Sequence, residues 1–132
     1  MALTKGRNTP YRIADKISLP VAAGKKIFEG SIVVVNAEGY AEPAAKAANL
    51  IAAGRAEAYV DNKDGSDGDA NVIVKRGCFL FNNSSTAQVT QAHVLQDCHI
   101  EDDETVSSAA AETSKAGKVL AIDSEGVWVE IR

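Results

Sequence analysis

The sequence is poor in aromatic residues, which make up 5% of its 132 residues. Alanine and valine supply much of the 45% hydrophobic content instead, and small side chains bury little apolar area each. A domain of this length buries about two-thirds of the surface of its unfolded chain, so one core can stabilise it. A core of small side chains is thin, and we therefore expect contacts between subunits to add stability.

Cysteine and long apolar runs are also scarce. Cys78 and Cys98 are the only two cysteines, too few for the disulfide framework of a small secreted protein. The opening MALTKGRNTP has no apolar core of a signal peptide, and the longest strongly apolar run, residues 32–35, is far too short to cross a bilayer. We expect no membrane partner, and a protein made and kept in the cytoplasm at least until it joins something larger.

Signatures of catalysis are missing too. The sequence contains no GxGxxG, GxSxG or HExxH motif, and the phosphate-binding pattern that Gly117 and Lys118 suggest has Glu112 where glycine is required. Among the Cys and His residues only Cys98 and His99 are close, and adjacent residues of a strand point to opposite faces. We interpret them as a buried cysteine and a surface histidine, and expect no metal, no cofactor and no enzymatic activity.

Two acidic segments resemble ion-binding sequences only in composition. In residues 61–69 (DNKDGSDGD), Lys63 stands where a calcium loop needs a third ligand, and no glutamate follows at the required offset. The four adjacent carboxylates of residues 101–104 repel one another, which suits an exposed turn better than an acid–base pair. We interpret both segments as turns between strands.

Charge is unevenly distributed along the chain. Residues 1–30 carry six basic and two acidic side chains, a net charge of +4, and the remaining residues carry −8. The acidic body disfavours a protein that wraps nucleic acid, because neutralisation of phosphates supplies most of that affinity. In residues 1–11, Gly6, Asn8 and Pro10 discourage a helix, so we predict a basic extended arm that reaches a partner.

The rest of the chain, residues 12–132, reads as a single mostly β domain. Short apolar alternations separated by Gly, Asn, Asp and Ser clusters predict a small β-barrel or β-sandwich with one or two short helical turns. The helical turns are expected at residues 43–49 and at residues 91–95, where Thr90 could cap the turn. The predicted strands are residues 11–19, 27–36, 40–42, 50–60, 72–81, two short strands within 97–106, 118–122 and 127–131.

The last strand has its own alternation. Val127, Val129 and Ile131 are predicted to face inward, and Trp128 and Glu130 to face the other way. A large aromatic side chain is usually mostly buried, which favours Trp128 as part of the core of a second layer. Because tryptophan is enriched in binding hot spots, an interface role for Trp128 stays open.

Several segments together resemble a family of small phage and prophage proteins, the capsid cement or head decoration proteins. They are LTKGRNTPYR, SLPVAAGKKIFEGSIVVVNAEGYAEPA, GRAEAYVDNKDGSDGDANVIVKRGCFLFNNS and AGKVLAIDSEGVWVEI. The resemblance runs in order over nearly the whole chain, is weakest over residues 97–114, and includes no catalytic signature.

The resemblance implies a β-rich virion protein on the outer surface of an icosahedral capsid. Such a protein binds the major capsid protein, commonly as a homotrimer, and stabilises the shell against the pressure of packaged DNA. An extended basic arm could add a strand to a neighbour's sheet or lie across a capsid subunit, or be a frayed terminus. The candidate partner-binding residues are Leu3, Thr4, Lys5, Arg7, Asn8, Thr9, Pro10, Tyr11 and Arg12, with Trp128 as a further interface residue.

Three alternatives remain open at this point. A tail or head–tail joining component would form six-fold rings rather than trimers. A small metal- or thiol-dependent hydrolase would use Cys98, His99 or residues 61–69. An oligonucleotide-binding barrel is disfavoured by the net acidity and by the scarcity of aromatic side chains for base stacking.

Overall fold

The computed structural model describes residues 2–132; Met1, the first residue of the predicted arm, lies outside the described residues. The protein is mostly β, with 45% of residues in strands and 2% in helix. The strands are β1 (Lys16–Pro20), β2 (Lys25–Ile27), β3 (Ile32–Val35), β4 (Ala41–Pro43), β5 (Ile51–Ala56), β6 (Val60–Asn62), β7 (Asn71–Lys75), β8 (Gly77–Asn83), β9 (Asp97–Ile100), β10 (Thr105–Ser107), β11 (Lys115–Asp123) and β12 (Gly126–Ile131).

Five strands close a barrel in the order β10–β8–β12–β11–β9. The β10–β8 pair is parallel, and the other four pairs are antiparallel. The predicted terminal hairpin is confirmed: Val127, Val129 and Ile131 are buried in the barrel core, as their alternation requires. The choice that the sequence left between barrel and sandwich is therefore settled for the second half of the chain.

The first half forms an antiparallel five-stranded sheet in the order β1–β7–β5–β3–β4, with a separate β2–β6 ribbon. Its buried side chains make a second hydrophobic cluster that includes Val21, Ile27, Val72 and Val74. Gly54 lies where β5 changes its register against β3. A side chain at Gly54 would collide with the main chain of Lys75, and its φ of 151° also favours glycine.

Strand β3 belongs to both halves of the molecule. The side chains of Ile32 and Val34 pack into the barrel core, and Val33 between them packs into the cluster of the sheet. All three are fully buried. A strand buried on both faces reads as a continuous apolar run rather than an alternation, and IVVV is such a run. Strand β3 therefore joins the barrel and the sheet into one body.

The predicted helical turn at residues 43–49 is wrong. This segment carries no helix: Pro43 ends β4, and the segment that follows crosses the barrel in an irregular conformation. The Oγ of Ser114 donates to the carbonyl of Ala47 (2.6 Å) and accepts from the N–H of Leu50 (3.0 Å). These long-range bonds, with Ala44 buried in the barrel core, override a weak local helical preference.

The second predicted helical turn exists, as a single 3-10 turn over Gln91–His93. Thr90 and His93 form a reciprocal capping box there. The first predicted strand differs more: residues 11–15 pair with no strand, and β1 starts only at Lys16. No helix among residues 2–132 combines the length and the apolar character that a membrane span needs.

Candidate interaction surfaces

The N-terminal segment, residues 2–14, is exposed along its whole length. Leu3, Tyr11 and Ile13 are 71%, 96% and 80% exposed, which is unusual for apolar side chains of this size. None of the hydrogen bonds found within residues 2–132 involves this segment. The nine arm residues proposed from the sequence, Leu3 to Arg12, therefore lie together on an extended segment that contacts almost nothing of its own chain.

The root of the arm is fixed to the sheet. The N–H of Arg76 donates to the carbonyl of Asp15 (2.7 Å), and the N–H of Val21 donates to the carbonyl of Ala70 (2.8 Å). Main-chain groups alternate in direction along a strand. Because both bonds involve odd-numbered residues, Asp15 and Val21, the N–H and C=O groups of β1 that face β7 are those of its odd-numbered residues. The N–H and C=O groups of Lys16 and Ser18 therefore point to the free outer edge of the sheet.

Charged side chains surround this root. Glu57 accepts a hydrogen bond from Arg55 (2.7 Å) and lies 3.6 Å from Lys16. The hydrogen bond from Arg55 lowers the pKa of the Glu57 carboxyl below its ordinary value. A cavity of about 380 Å³ beside the root is lined by Ala14, Asp15, Arg76, Gly77 and Arg132. The Nε of Arg76 is buried there without a hydrogen-bond partner within residues 2–132.

Trp128 lies on the outer face of the barrel and is 37% exposed, so the expectation that it is part of a second core layer is wrong. On the neighbouring strand β8, Leu80 lies directly opposite Trp128. The other neighbour, β11, carries Leu120, which is 38% exposed. The indole Nε1 donates to Oδ2 of Asp123 (3.2 Å). The pKa of Asp123 is lowered, first by the backbone N–H of Glu125 and then by this indole.

A second exposed apolar feature is a stacked aromatic pair. The rings of Phe28 and Tyr59 have centroids 5.2 Å apart, and the residues are 57% and 50% exposed. Phe28 follows β2 and Tyr59 precedes β6, and the pairing of Ile27 with Val60 at the end of that ribbon brings the two rings together.

The thiol of Cys98 and the imidazole of His99 have separate partners. Cys98 is buried, and burial raises the pKa of its thiol to about 12, so the thiolate nucleophile is strongly disfavoured. Its weak contact is with the carbonyl of Gly117 (3.5 Å). The imidazole of His99 instead contacts Thr113 (3.1 Å). Cys78 is exposed, and partial burial and Glu130 raise the pKa of its thiol.

The acidic loop of residues 61–69 is organised by its own side chains. The Nδ2 of buried Asn62 lies within hydrogen-bond distance of the carbonyls of Val21 (3.2 Å), Ala22 (3.1 Å) and Ser66 (2.9 Å). Carboxylates of the loop accept from backbone N–H groups, as Asp69 does from Ser66 (2.8 Å). Within residues 2–132 no group of three or more His, Cys, Asp or Glu side chains is arranged to hold a metal ion.

The largest cavity, about 730 Å³, is an open polar groove at one end of the barrel. Glu101, Asp123 and Glu125 supply its charge, and its remaining polar groups are hydroxyls and amides. No Cys, His, Lys or Arg lines it. The hydroxyl of Thr90 lies 3.2 Å from Nδ1 of His93, and this contact belongs to the cap of the 3-10 turn, where the same Nδ1 accepts from the N–H of Thr90 (2.9 Å).

Comparisons with models of protein families, with curated proteins and with solved structures gave no significant match. The candidate surfaces are therefore described by their own residues.

Sequence reasoning missed three of these features: the Phe28–Tyr59 pair, the buried Nε of Arg76 and the free edge of β1. The first two depend on long-range strand pairing, which no local pattern contains. The free edge did leave a signal. The apolar alternation of Tyr11 and Ile13 continues through Ile17 and Leu19, but only the last two side chains pack against the core of the sheet.

Proposed function

We propose that this protein is a non-enzymatic virion component of the capsid cement type, which binds the outer surface of a phage head as a homotrimer and stabilises the shell. The observation that carries the proposal is the exposed basic arm of residues 2–14, anchored at Asp15 to a compact β body. The resemblance of the sequence to head decoration proteins supplies the kind of partner, the major capsid protein.

The arm has the pattern of a strand that lacks its neighbour. Its side chains alternate as in a half-buried strand, yet Tyr11 is 96% and Ile13 is 80% exposed. Extended segments of this kind bind by adding to the edge of another sheet, where main-chain hydrogen bonds supply affinity and apolar side chains supply specificity. Many copies on one shell need little affinity each, because multivalency adds to their effect.

The body suits a static role. The barrel and the sheet share strand β3, so the molecule has no hinge between its two cores. The exposed side chains of Leu120 and Trp128 and the half-buried side chain of Leu80 form an apolar patch on the outside of the barrel. We assign this barrel patch (Leu80, Leu120 and Trp128) to subunit or capsid contacts, since tryptophan is enriched at binding hot spots.

The test is binding of the purified protein to empty heads from a panel of tailed phages, in unexpanded and expanded form. We expect saturable binding to expanded heads, higher resistance of the bound heads to heat, and a trimer by light scattering. A Leu3→Ser/Tyr11→Ser variant should lose binding. Its control is Leu95→Ser, because Leu95 is about as exposed (67%) as Leu3 (71%) but belongs to the barrel, where its N–H donates to the carbonyl of Val119.

Failure of the protein to bind either form of head would remove the proposal. Six-fold rings in solution would instead favour the tail or head–tail joining component. A loss of function on Cys98→Ala, or bound metal in the purified protein, would favour the hydrolase.

A further inference from the structure

The aromatic pair formed by Phe28 and Tyr59 is a surface without a partner in its own chain. Of the three phenylalanines, Phe79 and Phe81 are buried in the barrel core, whereas Phe28 is 57% exposed and has a half-exposed tyrosine as its aromatic neighbour. Aromatic side chains carry large apolar area, so two of them side by side on a surface favour contact with another apolar or cationic group.

Acidic side chains flank the pair. A groove of about 370 Å³ that includes Phe28 is also lined by Glu29, Asp103 and Glu104. Its acidic turn is held against the sheet, because the N–H of Ile32 donates to the carbonyl of Asp103 (2.8 Å). None of the three carboxylates takes part in an ion pair within residues 2–132. The groove therefore suits an occupant that is both cationic and aromatic.

The arm of this same protein has that chemistry. When the arm binds as an added strand, alternate residues share a face, so Arg7, Tyr11 and Ile13 lie on one side of it and Arg12 on the other. The face that carries Arg7 combines a guanidinium with two apolar side chains that are exposed in their own chain. The arm is also the most basic part of an otherwise acidic protein.

We propose that the acidic groove lined by Phe28, Glu29, Asp103 and Glu104, together with Tyr59 stacked on Phe28, binds the arm of a second copy of this chain. Tyr11 packs on the rings of Phe28 and Tyr59, and Arg7 pairs with the carboxylates. The inference deepens the proposed function by giving the arm a first partner, and its test involves no capsid.

The geometry of this contact sets the form of the assembly. The arm and the groove are different surfaces, so each copy donates one arm and receives one. Such a heterologous contact either closes into a ring or continues as a filament, and a trimer is the closed form that the proposed function requires.

The test uses two full-length variants in sedimentation velocity. The arm variant is Arg7→Glu/Tyr11→Ser, and the groove variant is Phe28→Ser/Tyr59→Ser. All four side chains are at least half exposed or belong to the exposed arm, so both variants should fold as judged by circular dichroism. We expect the wild-type chain to self-associate and each variant alone to do so at least about tenfold more weakly, a difference of about 1.4 kcal/mol.

Mixing the two variants is the decisive step. In a pair made of one copy of each variant, the groove variant supplies an intact arm and the arm variant supplies an intact groove. The mixture should therefore form a one-to-one complex that neither variant forms alone. Arg12→Glu is the matched control: it makes the same charge change on the opposite face of the arm and should weaken self-association much less than Arg7→Glu.

A monomeric wild-type chain, self-association that survives either variant, or a mixture that stays monomeric overturns the inference. The two variants and their mixture test the inference apart from head binding, whereas a monomeric wild-type chain would also remove the trimer of the proposed function.

Discussion

Shortening one side chain of strand β3 should destabilise the barrel and the sheet together. Ile32 is fully buried; its side chain packs into the barrel core, while its main chain pairs with β5 in the sheet. Ile32→Ala removes three buried carbon atoms, worth about 0.8 kcal/mol each, and leaves a cavity that adds to the cost. We expect a loss of about 3 kcal/mol from a total stability that is typically about 5–15 kcal/mol.

The assay follows the two halves separately. Fluorescence of Trp128 reports on the barrel during urea denaturation, and hydrogen exchange of the amides of β7 reports on the sheet. Both should show the same loss of free energy of unfolding. Ile51→Ala is the control: the same residue type on neighbouring β5 is 69% exposed, and we expect a change below about 0.5 kcal/mol.

The reasoning would be refuted by a loss confined to one probe. If Ile32→Ala shifted the fluorescence transition but left the exchange of β7 unchanged, the barrel would unfold without the sheet. In that case strand β3 would not couple the two cores.

Three further predictions concern single side chains. An alkylating reagent should modify exposed Cys78 in the native protein. It should reach Cys98 only in denaturant, because Cys98 is buried and burial raises the pKa of its thiol to about 12. Equal labelling of both cysteines in the native protein would contradict this placement. The pKa of Asp123 is lower in the folded than in the unfolded chain, so its ionised form stabilises the fold at any pH above the ordinary carboxyl pKa of about 3.9. This stabilisation is lost as the pH falls through the lower pKa of the folded state. Asp123→Asn should therefore show a smaller loss of stability in acid than the wild type, measured by thermal melts across the pH range. Asn62→Ala removes the side-chain donor to the carbonyls of Val21, Ala22 and Ser66, and leaves that of buried Ala22 without another donor among residues 2–132. It should cost about 1–3 kcal/mol in urea denaturation, whereas Asn71→Ala at an exposed position should cost little; equal effects would argue against the Asn62 network.

Local patterns predicted the strands well where one face of a strand is buried. The alternation of Val127, Val129 and Ile131 gave the correct inward face, and the run IVVV gave a strand whose residues 32–34 are all fully buried. The same alternation over Tyr11 and Ile13 predicted a strand that its own chain does not pair. A period of two shows that a segment favours an extended conformation with one apolar face, but not which strand covers that face.

Properties that depend on distant contacts could not be predicted. The segment of residues 43–49 looked helical, yet Ser114, some seventy residues away, holds its main chain in another conformation. Trp128 was expected in a core because large aromatics are usually buried, but its strand has its inner face filled by Val127 and Val129. The acidic groove and its aromatic pair combine residues just after β2, just before β6 and in the turn after β9, and only the folded chain brings these together.

The position of β12 between β8 and β11 has a consequence for synthesis on the ribosome. All strands of the sheet emerge early, but the barrel cannot close until residue 131 has left the exit tunnel. During that interval the faces of Ile32 and Val34 that the barrel later covers remain in contact with water. A nascent chain paused between β7 and β12 therefore exposes its most apolar strand, and this is the stage at which aggregation or chaperone binding is expected to compete with folding.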